Sequence, residues 1–425
     1  MFRSTLFMGL TTAIKMISGI IVFVLMARFL GPHDFGLIAY AFTLASLFAL
    51  IVDYGFSQQL LREIGIDASQ VNDLVGSFMV SKAVLSGMVI LICYIYFIFF
   101  PKDNVTEQVF WILLISTLLN SFSEFLNSAF RGVGKFKEET NIATLGAVIH
   151  FFVLVIIMLV HPTVITVAIG FVISKLIYIF ISFIAYLKNI GPVKFQCKSI
   201  EVKSSLKKGI PYAADTGFTN FFQQVDTIVV NHFLGLVGVG LYQAATKWLQ
   251  GAMQFAPVLS NVYLPTLAAN MKDRTVNKKY SSILNTKMLV FGGIGWAFFT
   301  FLGSSFSHYI YGQKYDEISS LWPYVGLLVW IRYIAASQGV LLTAYGKQKV
   351  RVYSQILSLI TFGISSIWLL PRFGLKGMLI CLSATYFVTL VIYFLNVLRK
   401  DIPSGFNTVN IVIATSISTL AFLKL

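Results

Sequence analysis

Long apolar stretches follow one another along the whole chain, separated by short polar segments. Because a helix that crosses a bilayer needs roughly 20 apolar residues, each stretch predicts a membrane-spanning helix. The pattern indicates an all-α polytopic membrane protein with about twelve transmembrane helices. A weaker apolar tail, Val409–Leu423, is either a thirteenth span or an interfacial helix. The twelve predicted spans are Leu6–Phe29, Gly36–Leu60, Leu74–Phe100, Thr106–Phe130, Thr140–Val160, Thr163–Leu187, Lys208–Phe233, Val239–Ala268, Tyr280–Ile310, Ile318–Tyr345, Lys349–Leu370 and Gly374–Leu398.

The composition agrees with this class. Apolar residues make up 57% of the chain and charged residues 12%, against about 25% charged residues in soluble domains. The apolar stretches leave no room for a separate soluble domain, and the first is too long for a signal peptide. Cys93, Cys197 and Cys381 lie far apart, so neither a disulfide framework nor a zinc site is predicted. No catalytic residue, metal or cofactor is expected.

Positive charge is distributed unevenly between the two sides of the predicted membrane. With the N-terminus on the cytoplasmic side, cytoplasmic segments carry 20 Lys and Arg residues and the opposite side carries five. The positive-inside rule therefore predicts that both ends of the twelve-helix core are cytoplasmic. These loops account for the net charge of +15, so nucleic acid is not predicted as a partner, while a contact with anionic lipid headgroups stays open. Trp111, Trp322 and Trp368 fall at predicted outer ends, as in an aromatic belt.

The two halves of the chain share short motifs in the same order. Residues 29–37 and 233–241 both read FLG-x4-GL at the junction between the first two helices of a half, and residues 129–137 and 344–349 both contain GKxK. Six helices per half give both halves the same orientation, which indicates a parallel repeat of two lobes around a central cavity. The predicted organisation is an N-terminal lobe (1–187), a basic linker (188–206), a C-terminal lobe (207–400) and a tail (401–425).

Four cations lie within apolar spans: Lys15, Lys175, Lys247 and Arg332. Each would cost roughly 2.5–3.5 kcal/mol if it faced lipid, so we expect them to line a water-filled cavity that receives an anionic substrate. A glutamine stripe shares the helix face of Lys247, and Arg28 lies at the first helix junction. Helix–helix contact is the alternative role for the shorter polar residues. The predicted substrate-binding set is Lys15, Arg28, Lys175, Gln243, Lys247, Gln250, Gln254 and Arg332.

Acidic residues also occur inside the spans. Asp53, Glu124, Asp215 and Asp226 either neutralise the cations as structural pairs or couple transport to a proton or cation. His150 is expected to be a hydrogen-bonded core histidine, with proton coupling as the alternative. Pro257 should kink its helix, either as a static bend or as a gating point.

Five longer segments carry a family resemblance: ARFLGPHDFGL (27–37), IVDYGFSQQLLREI (51–64), GVGKFKEETN (132–141), KGIPYAADTGF (208–218) and QQVDTIVVNHFLGLVGVGLYQAATK (223–247). They resemble the polysaccharide-exporter family, the Wzx-type O-antigen flippases. The resemblance extends over essentially the whole chain, and it includes the motifs that contain Asp53 and Asp226. The buried lysines match no fixed motif of the family, so their assignment rests on the cost of burial.

This resemblance implies a fold, a location and a function. The fold would be MATE-like, that of the multidrug/oligosaccharidyl-lipid/polysaccharide exporters, with two six-helix lobes around a central cavity. The protein would sit in the bacterial inner membrane and move undecaprenyl-diphosphate-linked oligosaccharide, of O-antigen or capsule type, to the periplasmic leaflet by alternating access. Membrane lipid, the polysaccharide polymerase and the chain-length regulator are the other partners that it implies.

Three alternatives remain open at this stage. A MATE-type drug exporter would need an acidic cavity for organic cations, whereas cations outnumber acids here. A lipid II exporter shares the fold but has two extra helices, which this chain cannot supply in full. A membrane polymerase or glycosyltransferase would need a large extramembrane loop, and the predicted outer loops are short.

Overall fold

The computed structural model describes residues 2–195, 206–399 and 402–404, with eight single positions left out: 208, 211, 214, 215, 216, 218, 219 and 222. Side chains are described from residue 13 onward. Within these ranges all regular secondary structure is helical, which confirms the predicted all-α class. Most of the predicted linker and the apolar tail Val409–Leu423 lie outside the described residues.

Twelve α-helices, some shorter and some longer than one span, have continuous bounds in the described chain, and the described residues from 206 to 221 are helical as well. Three short helical segments of other types lie between some of them: a 3-10 turn at Ala68–Gln70, a π-helical turn at Phe298–Leu302 and a 3-10 segment at Gln313–Leu321. The helices are α1 (Phe2–Asp53), α2 (Phe56–Ile66), α3 (Val71–Phe99), α4 (Asn104–Gly132), α5 (Phe136–Val160), α6 (Val164–Asn189), α7 (Val225–Met253), α8 (Phe255–Ala269), α9 (Arg274–Ala297), α10 (Gly303–Tyr311), α11 (Trp322–Ala344) and α12 (Gln348–Arg399).

Nine helical runs of the described chain are long and apolar enough to cross a membrane. Two of these runs contain more than one predicted span, because α1 and α12 each extend over 52 residues. Both leave helical geometry at one glycine: Gly31 (φ 79°) in α1 and Gly374 (φ 56°) in α12. These points lie at the predicted boundaries between consecutive spans. The protein is thus a multi-pass membrane protein, and the count of twelve spans stays a prediction.

The backbone repeats at the positions where the sequence repeats. Gly235 (φ 67°) bends α7 as Gly31 bends α1, and both glycines belong to the FLG-x4-GL motif. Gly134 (φ 77°) and Gly346 (φ 66°) follow the ends of α4 and α11. A positive φ is strained for residues other than glycine. The same backbone turn therefore explains why both halves have glycine at these positions.

The turns at Gly134 and Gly346 have the same hydrogen bonds. Lys135 N–H donates to the Phe130 carbonyl and Lys347 N–H to the Leu342 carbonyl, both at 2.8 Å. Each glycine N–H donates to the carbonyl three residues earlier, which completes a Schellman motif in both halves. When the two turns are aligned on their glycines, the aromatic residues before them do not align. Phe130 lies four residues before Gly134, whereas Tyr345 directly precedes Gly346.

Several predicted spans are interrupted. The second span breaks at Tyr54 (φ 43°) and Gly55 (φ 69°), between α1 and α2. The eighth breaks at Gln254, three residues before Pro257, which confirms the kink predicted there. Proline has no N–H to donate and is tolerated in the first turn of a helix, so a new helix begins just before it. The seventh turns at Gln223–Gln224, and the ninth contains the π-helical turn.

The aromatic-belt prediction was wrong for one of its three tryptophans. Trp322 is fully buried: its ring stacks on Phe299 at 5.5 Å and its indole N–H donates to Ser307 at 3.0 Å. Trp368 is exposed and lies under the Arg372 guanidinium, as expected for an interfacial residue. The position of Trp322 in the sequence predicted that it lies near the end of a span, but not that its side chain faces the helix packing.

The chain divides into two compact units, Met1–Ile228 and Val229–Leu425. In the first unit α1 packs against α3, α4, α5 and α6. In the second, α11 packs against α8, α9 and α12, and its Trp330 forms a core with Leu289 and Trp296 of α9. The predicted lobe boundary at the linker 188–206 stays a prediction.

The break between α1 and α2 supplies a test of the fold. Gly55 has φ +69°, and a Cβ there would lie 2.5 Å from Tyr212 Cβ and 2.6 Å from the Tyr212 carbonyl carbon. We expect Gly55→Ala to destabilise the protein by more than about 2 kcal/mol, because backbone strain and steric overlap add. The thermal unfolding midpoint of the detergent-purified protein measures this effect.

Gly65→Ala is the matched control in the same helix pair. Gly65 is helical, and nothing lies within 4 Å of its added Cβ. Alanine there should leave the midpoint unchanged or raise it slightly. Equal midpoints for the two variants would contradict the close approach at Gly55.

Candidate functional site

A pair of opposite charges joins α1 and α4 inside the first unit. Lys15 Nζ donates to Glu124 Oε1 at 2.7 Å, and the two side chains are 35% and 38% exposed. The sequence placed both residues within apolar spans. Each of the two charges is therefore compensated by the other, and both side chains remain partly exposed.

Three further residues of α4 and α6 surround this pair. The Tyr178 hydroxyl donates to Glu124 Oε1 at 3.1 Å, and the Asn127 amide donates to the Tyr178 hydroxyl. Lys175 Nζ lies 5.7 Å from the centre of the Tyr178 ring and interacts electrostatically with Glu124 and Lys15. We call these five residues the Lys15 cluster: Lys15, Glu124, Asn127, Lys175 and Tyr178.

The Lys15 cluster has a positive charge in excess. Lys15 and Lys175 both interact with Glu124, which also accepts from Tyr178. Beside the cluster, the buried Glu139 interacts with Lys15 and with Arg131, so the cations still exceed the carboxylates by one. An additional anion would find ammonium donors here, whereas an organic cation would meet net repulsion. The cations that the sequence placed in the first and sixth spans thus meet the acid of the fourth span at one cationic site.

His150 lies on α5 and contacts α6. Its Nδ1 is 2.7 Å from Ser174 Oγ, and its ring packs against Phe171 at 5.1 Å. The expectation of a hydrogen-bonded histidine in the helix packing is confirmed.

A second ion pair lies where α1 ends. Lys82 of α3 is 1% exposed, and its Nζ donates to Asp53 Oδ1 at 3.1 Å, to Ser121 Oγ at 2.7 Å and to the Val52 carbonyl at 3.4 Å. The Ser121 hydroxyl also donates to Asp53 Oδ1. Lys82 thus compensates Asp53 and binds a carbonyl that the interrupted helix leaves without an intrahelical partner.

Sequence reasoning missed Lys82 because it considered only cations near the middle of a span. A signal was present: Lys82 follows Ser77 and Ser81 and precedes Ser86 in an otherwise apolar segment. A polar stripe on the third span, together with Asp53 at the end of the second, would have indicated a buried pair.

The predicted stripe of the second unit lies on α7. Gln243 and Lys247 are half-buried, and Gln250 is exposed one turn later. Gln254 is exposed as well and forms the break between α7 and α8. Arg332 of α11 has a partner of its own, since its guanidinium lies 4.6 Å from the centre of the Tyr386 ring.

The remaining predicted residues have separate surroundings. Arg28 is exposed near the Gly31 bend. Asp226 lies in the first turn of α7, where its carboxylate accepts the Thr227 N–H at 2.6 Å and complements the helix N-terminus. Asp215 lies outside the described residues. The structure thus unites Lys15, Lys175 and Glu124, and it gives Asp53 a buried lysine partner.

Solved structures of membrane transporters share the fold of this chain. An inward-facing multidrug resistance MATE transporter of the MOP superfamily superposes with a TM-score of 0.72 at 15% identity, over 93% of this chain and 98% of that one. The lipid II flippase MurJ in an inward closed conformation gives a TM-score of 0.68 at 17% identity, over 98% of both chains. The fold is that of MATE-like membrane transporters.

Sequence comparison gives the family. Residues 1–271 match the model of the family described as "Polysaccharide biosynthesis protein", and the chain belongs to this family. The "Putative O-antigen transporter" of Shigella dysenteriae is 24% identical over 387 residues, which are 88% of this chain and 93% of that protein. The capsular polysaccharide biosynthesis protein CapF of Staphylococcus aureus is 24% identical over 190 residues, 44% of this chain and 47% of CapF.

The pair at the end of α1 supplies a second test. Lys82→Met removes one partner of a buried ion pair, and it leaves Asp53 with the Ser121 hydroxyl but no cation and the Val52 carbonyl without the Lys82 donor. Because the Asp53 side chain is 44% exposed and water can reach it, we expect a loss of about 1–3 kcal/mol, below that of a fully buried pair. The unfolding midpoint in detergent should fall accordingly.

The double variant Lys82→Met/Asp53→Asn is the control for that measurement. It removes the uncompensated charge, so it should recover part of the lost stability. A single variant as stable as the wild type, or a double variant with additive losses, would contradict the ion pair.

Proposed function

We propose that this protein is a flippase that moves diphosphate-linked polyprenol oligosaccharides across the bacterial cytoplasmic membrane. The substrate would be a repeat unit of O-antigen or capsule type on undecaprenyl diphosphate, and it would pass from the cytoplasmic to the periplasmic leaflet. The observation that carries the proposal is the Lys15 cluster, a partly exposed cationic site inside apolar helices. Family membership and the O-antigen transporter among its relatives support the same substrate class.

The chemistry of the substrate head suits this cluster. A diphosphate carries two or more negative charges, and ammonium groups bind phosphate oxygens through short charge-assisted hydrogen bonds. Lys15 and Lys175 would bind the diphosphate while Glu124 holds Lys15 in position. The polyprenyl chain need not leave the lipid, since only the charged head and sugars require a polar route.

The same arrangement supports alternating access. The two units repeat the same helix bends and turns, as expected for lobes that rock about a substrate site. In this proposal Lys247 and Arg332 of the second unit contact the substrate as well. Glu124 is the first candidate for coupling to a proton or cation. The two ammonium groups favour its ionised form, and an arriving anion competes for them, which makes binding of a proton or cation to Glu124 more favourable.

Two related functions fit less well. A multidrug exporter shares the fold, but an organic cation would be repelled by the excess positive charge of the Lys15 cluster. A lipid II exporter shares the fold and a diphosphate-linked substrate, but the O-antigen transporter among the relatives favours an oligosaccharide repeat unit. An enzyme such as a polymerase is disfavoured because the family and fold are those of transporters.

Deletion of the gene tests the proposal. The expected result is loss of surface polysaccharide, with lipid-linked repeat units accumulating on the cytoplasmic leaflet, where an impermeant glycosidase added to intact spheroplasts cannot reach them. Sugar analysis of those units would identify the substrate. Unchanged polysaccharide with higher sensitivity to cationic drugs would contradict it and favour drug export.

Complementation with site variants tests the cluster itself. Lys175→Gln should lower polysaccharide export at least tenfold, because two ammonium groups that share one carboxylate become one. Lys247→Ala and Arg332→Ala should reduce export by a smaller factor. Membrane protein level, measured by immunoblot, should stay near that of the wild type for all three.

Lys102→Gln is the matched control for these variants. Lys102 is exposed in the short connection before α4. The Lys102→Gln variant should therefore export polysaccharide normally. Normal polysaccharide in the Lys175, Lys247 and Arg332 variants alike would show that these cations do not contact the substrate.

A further inference from the structure

Two loops of the second unit bring together an unusual density of positive charge. One loop follows α8 and leads into α9 (270–279), and the other joins α11 to α12 (345–351). Five of the seven cations are exposed and the other two are half-buried. We call this surface the basic patch, formed by Lys272, Arg274, Lys278, Lys279, Lys347, Lys349 and Arg351.

Buried hydrogen bonds hold the two loops of the basic patch side by side. Asn277 is fully buried, and its amide donates to the Tyr345 hydroxyl at 2.9 Å, to the Leu267 carbonyl at 3.1 Å and to the Asn270 carbonyl at 3.0 Å. The two loops therefore present one surface.

Little negative charge balances this surface. Asp273 is the one acidic residue of the two loops, and its carboxylate caps α9 by accepting the Thr275 and Val276 N–H groups. Within the described part of the chain, the five lysines of the patch form no salt bridge with a carboxylate.

The equivalent loops of the first unit differ sharply in charge. They precede α3 (62–73) and α5 (131–139), and the second begins with the Schellman turn that matches the one at Gly346. They contain four cations and five carboxylates, against seven cations and one carboxylate in the basic patch. A topology signal would act on both halves, because both have the same orientation. The excess in one half needs another cause.

We propose that the basic patch binds the headgroups of anionic phospholipids in the cytoplasmic leaflet. Clusters of four to eight cations at the cytoplasmic ends of membrane helices attract anionic lipid, by about 1 kcal/mol per cation near the surface. Exposed apolar side chains lie beside the cations, with Met271 46% and Tyr353 69% exposed. Cations next to an exposed tyrosine and methionine fit a lipid–water interface better than a soluble anionic partner.

This inference rests on the cytoplasmic orientation of the loops and not on the transported substrate. A diphosphate on a polyprenyl chain is the other anion with a lipid anchor. It would be carried by the Lys15 cluster of the first unit, whereas the basic patch lies at the helix ends of the second unit. The test therefore uses both lipids as separate probes.

The experiment measures lipid binding to the purified full-length protein in detergent. Phosphatidylglycerol, phosphatidylcholine or a polyprenyl diphosphate is titrated, and the thermal unfolding midpoint gives an apparent affinity for each. We expect phosphatidylglycerol to stabilise the wild type more than phosphatidylcholine does. The variant Lys272→Gln/Lys278→Gln/Lys279→Gln should bind phosphatidylglycerol at least tenfold more weakly.

Two further variants control for charge and folding. Lys102→Gln/Lys314→Gln/Lys376→Gln removes the same charge from exposed positions on the opposite side and should bind phosphatidylglycerol like the wild type. The three patch lysines changed to arginine should do so as well. If the glutamine variant does not fold, the wild type supplies the test, since about 0.5 M NaCl should abolish the preference for phosphatidylglycerol.

Three results would overturn the proposal. Equal loss of phosphatidylglycerol binding in the patch and control variants would show a general effect of net charge. An unchanged affinity in the patch variant would show that the patch does not bind the lipid. Loss of polyprenyl diphosphate binding alone would assign the patch to substrate capture. None of these outcomes depends on whether the protein flips lipid-linked sugars.

Discussion

Charge compensation inside apolar helices is the constraint on which the rest of this structure depends. A cation buried among helices is stable only with a specific partner, and three lysines of the first unit have one. Lys82 is bound by Asp53 and Ser121, Lys15 by Glu124, and Lys175 lies over the Tyr178 ring. These pairings differ in burial and in charge balance, which distinguishes a structural ion pair from a candidate binding site. Lys82 is fully buried and its charge is balanced by Asp53, whereas the Lys15 cluster is partly exposed and has one positive charge more than negative.

The same constraint acts on the backbone. Helices that cross lipid must satisfy their own hydrogen bonds, so interruptions need local partners. At the end of α1 the Lys82 ammonium binds the Val52 carbonyl, and at the ends of α4 and α11 the Schellman turns supply N–H donors. The bends at Gly31 and Gly235 recur in both units. Charge pairs and glycine turns thus determine where each helix can bend.

Much of this was predictable from sequence, and the failures have physical reasons. Apolar length predicted the helical class, and the FLG-x4-GL repeat marked the junctions at which both units bend. The cost of burying charge predicted that Lys15 and Lys175 share one site, and it left open whether Glu124 pairs with them. Patterns did not locate the break at Tyr54, since a left-handed tyrosine has no sequence signature and depends on its tertiary partners.

Depth along a span is also a poor guide to the direction in which a side chain points. Trp322 was placed at the membrane surface by its position, yet it faces the helix packing and stacks on Phe299. Lys82 was passed over because it lies away from the middle of its span, although its partner Asp53 was recognised. The assignments that need the two units together, those of Lys247 and Arg332, stay predictions.

The central claim is that the cationic site carries a lipid-linked diphosphate across the bilayer. The most direct measurement reconstitutes the protein in liposomes that contain a fluorescent diphosphate-linked polyprenol oligosaccharide, and it follows the fraction that an added impermeant glycosidase can cleave. Our account predicts that cleavage proceeds beyond the half of the lipid initially exposed, and that Lys175→Gln slows this second phase. Cleavage that stops at the exposed half with the wild-type protein, under an imposed ion gradient as well as without one, would contradict it.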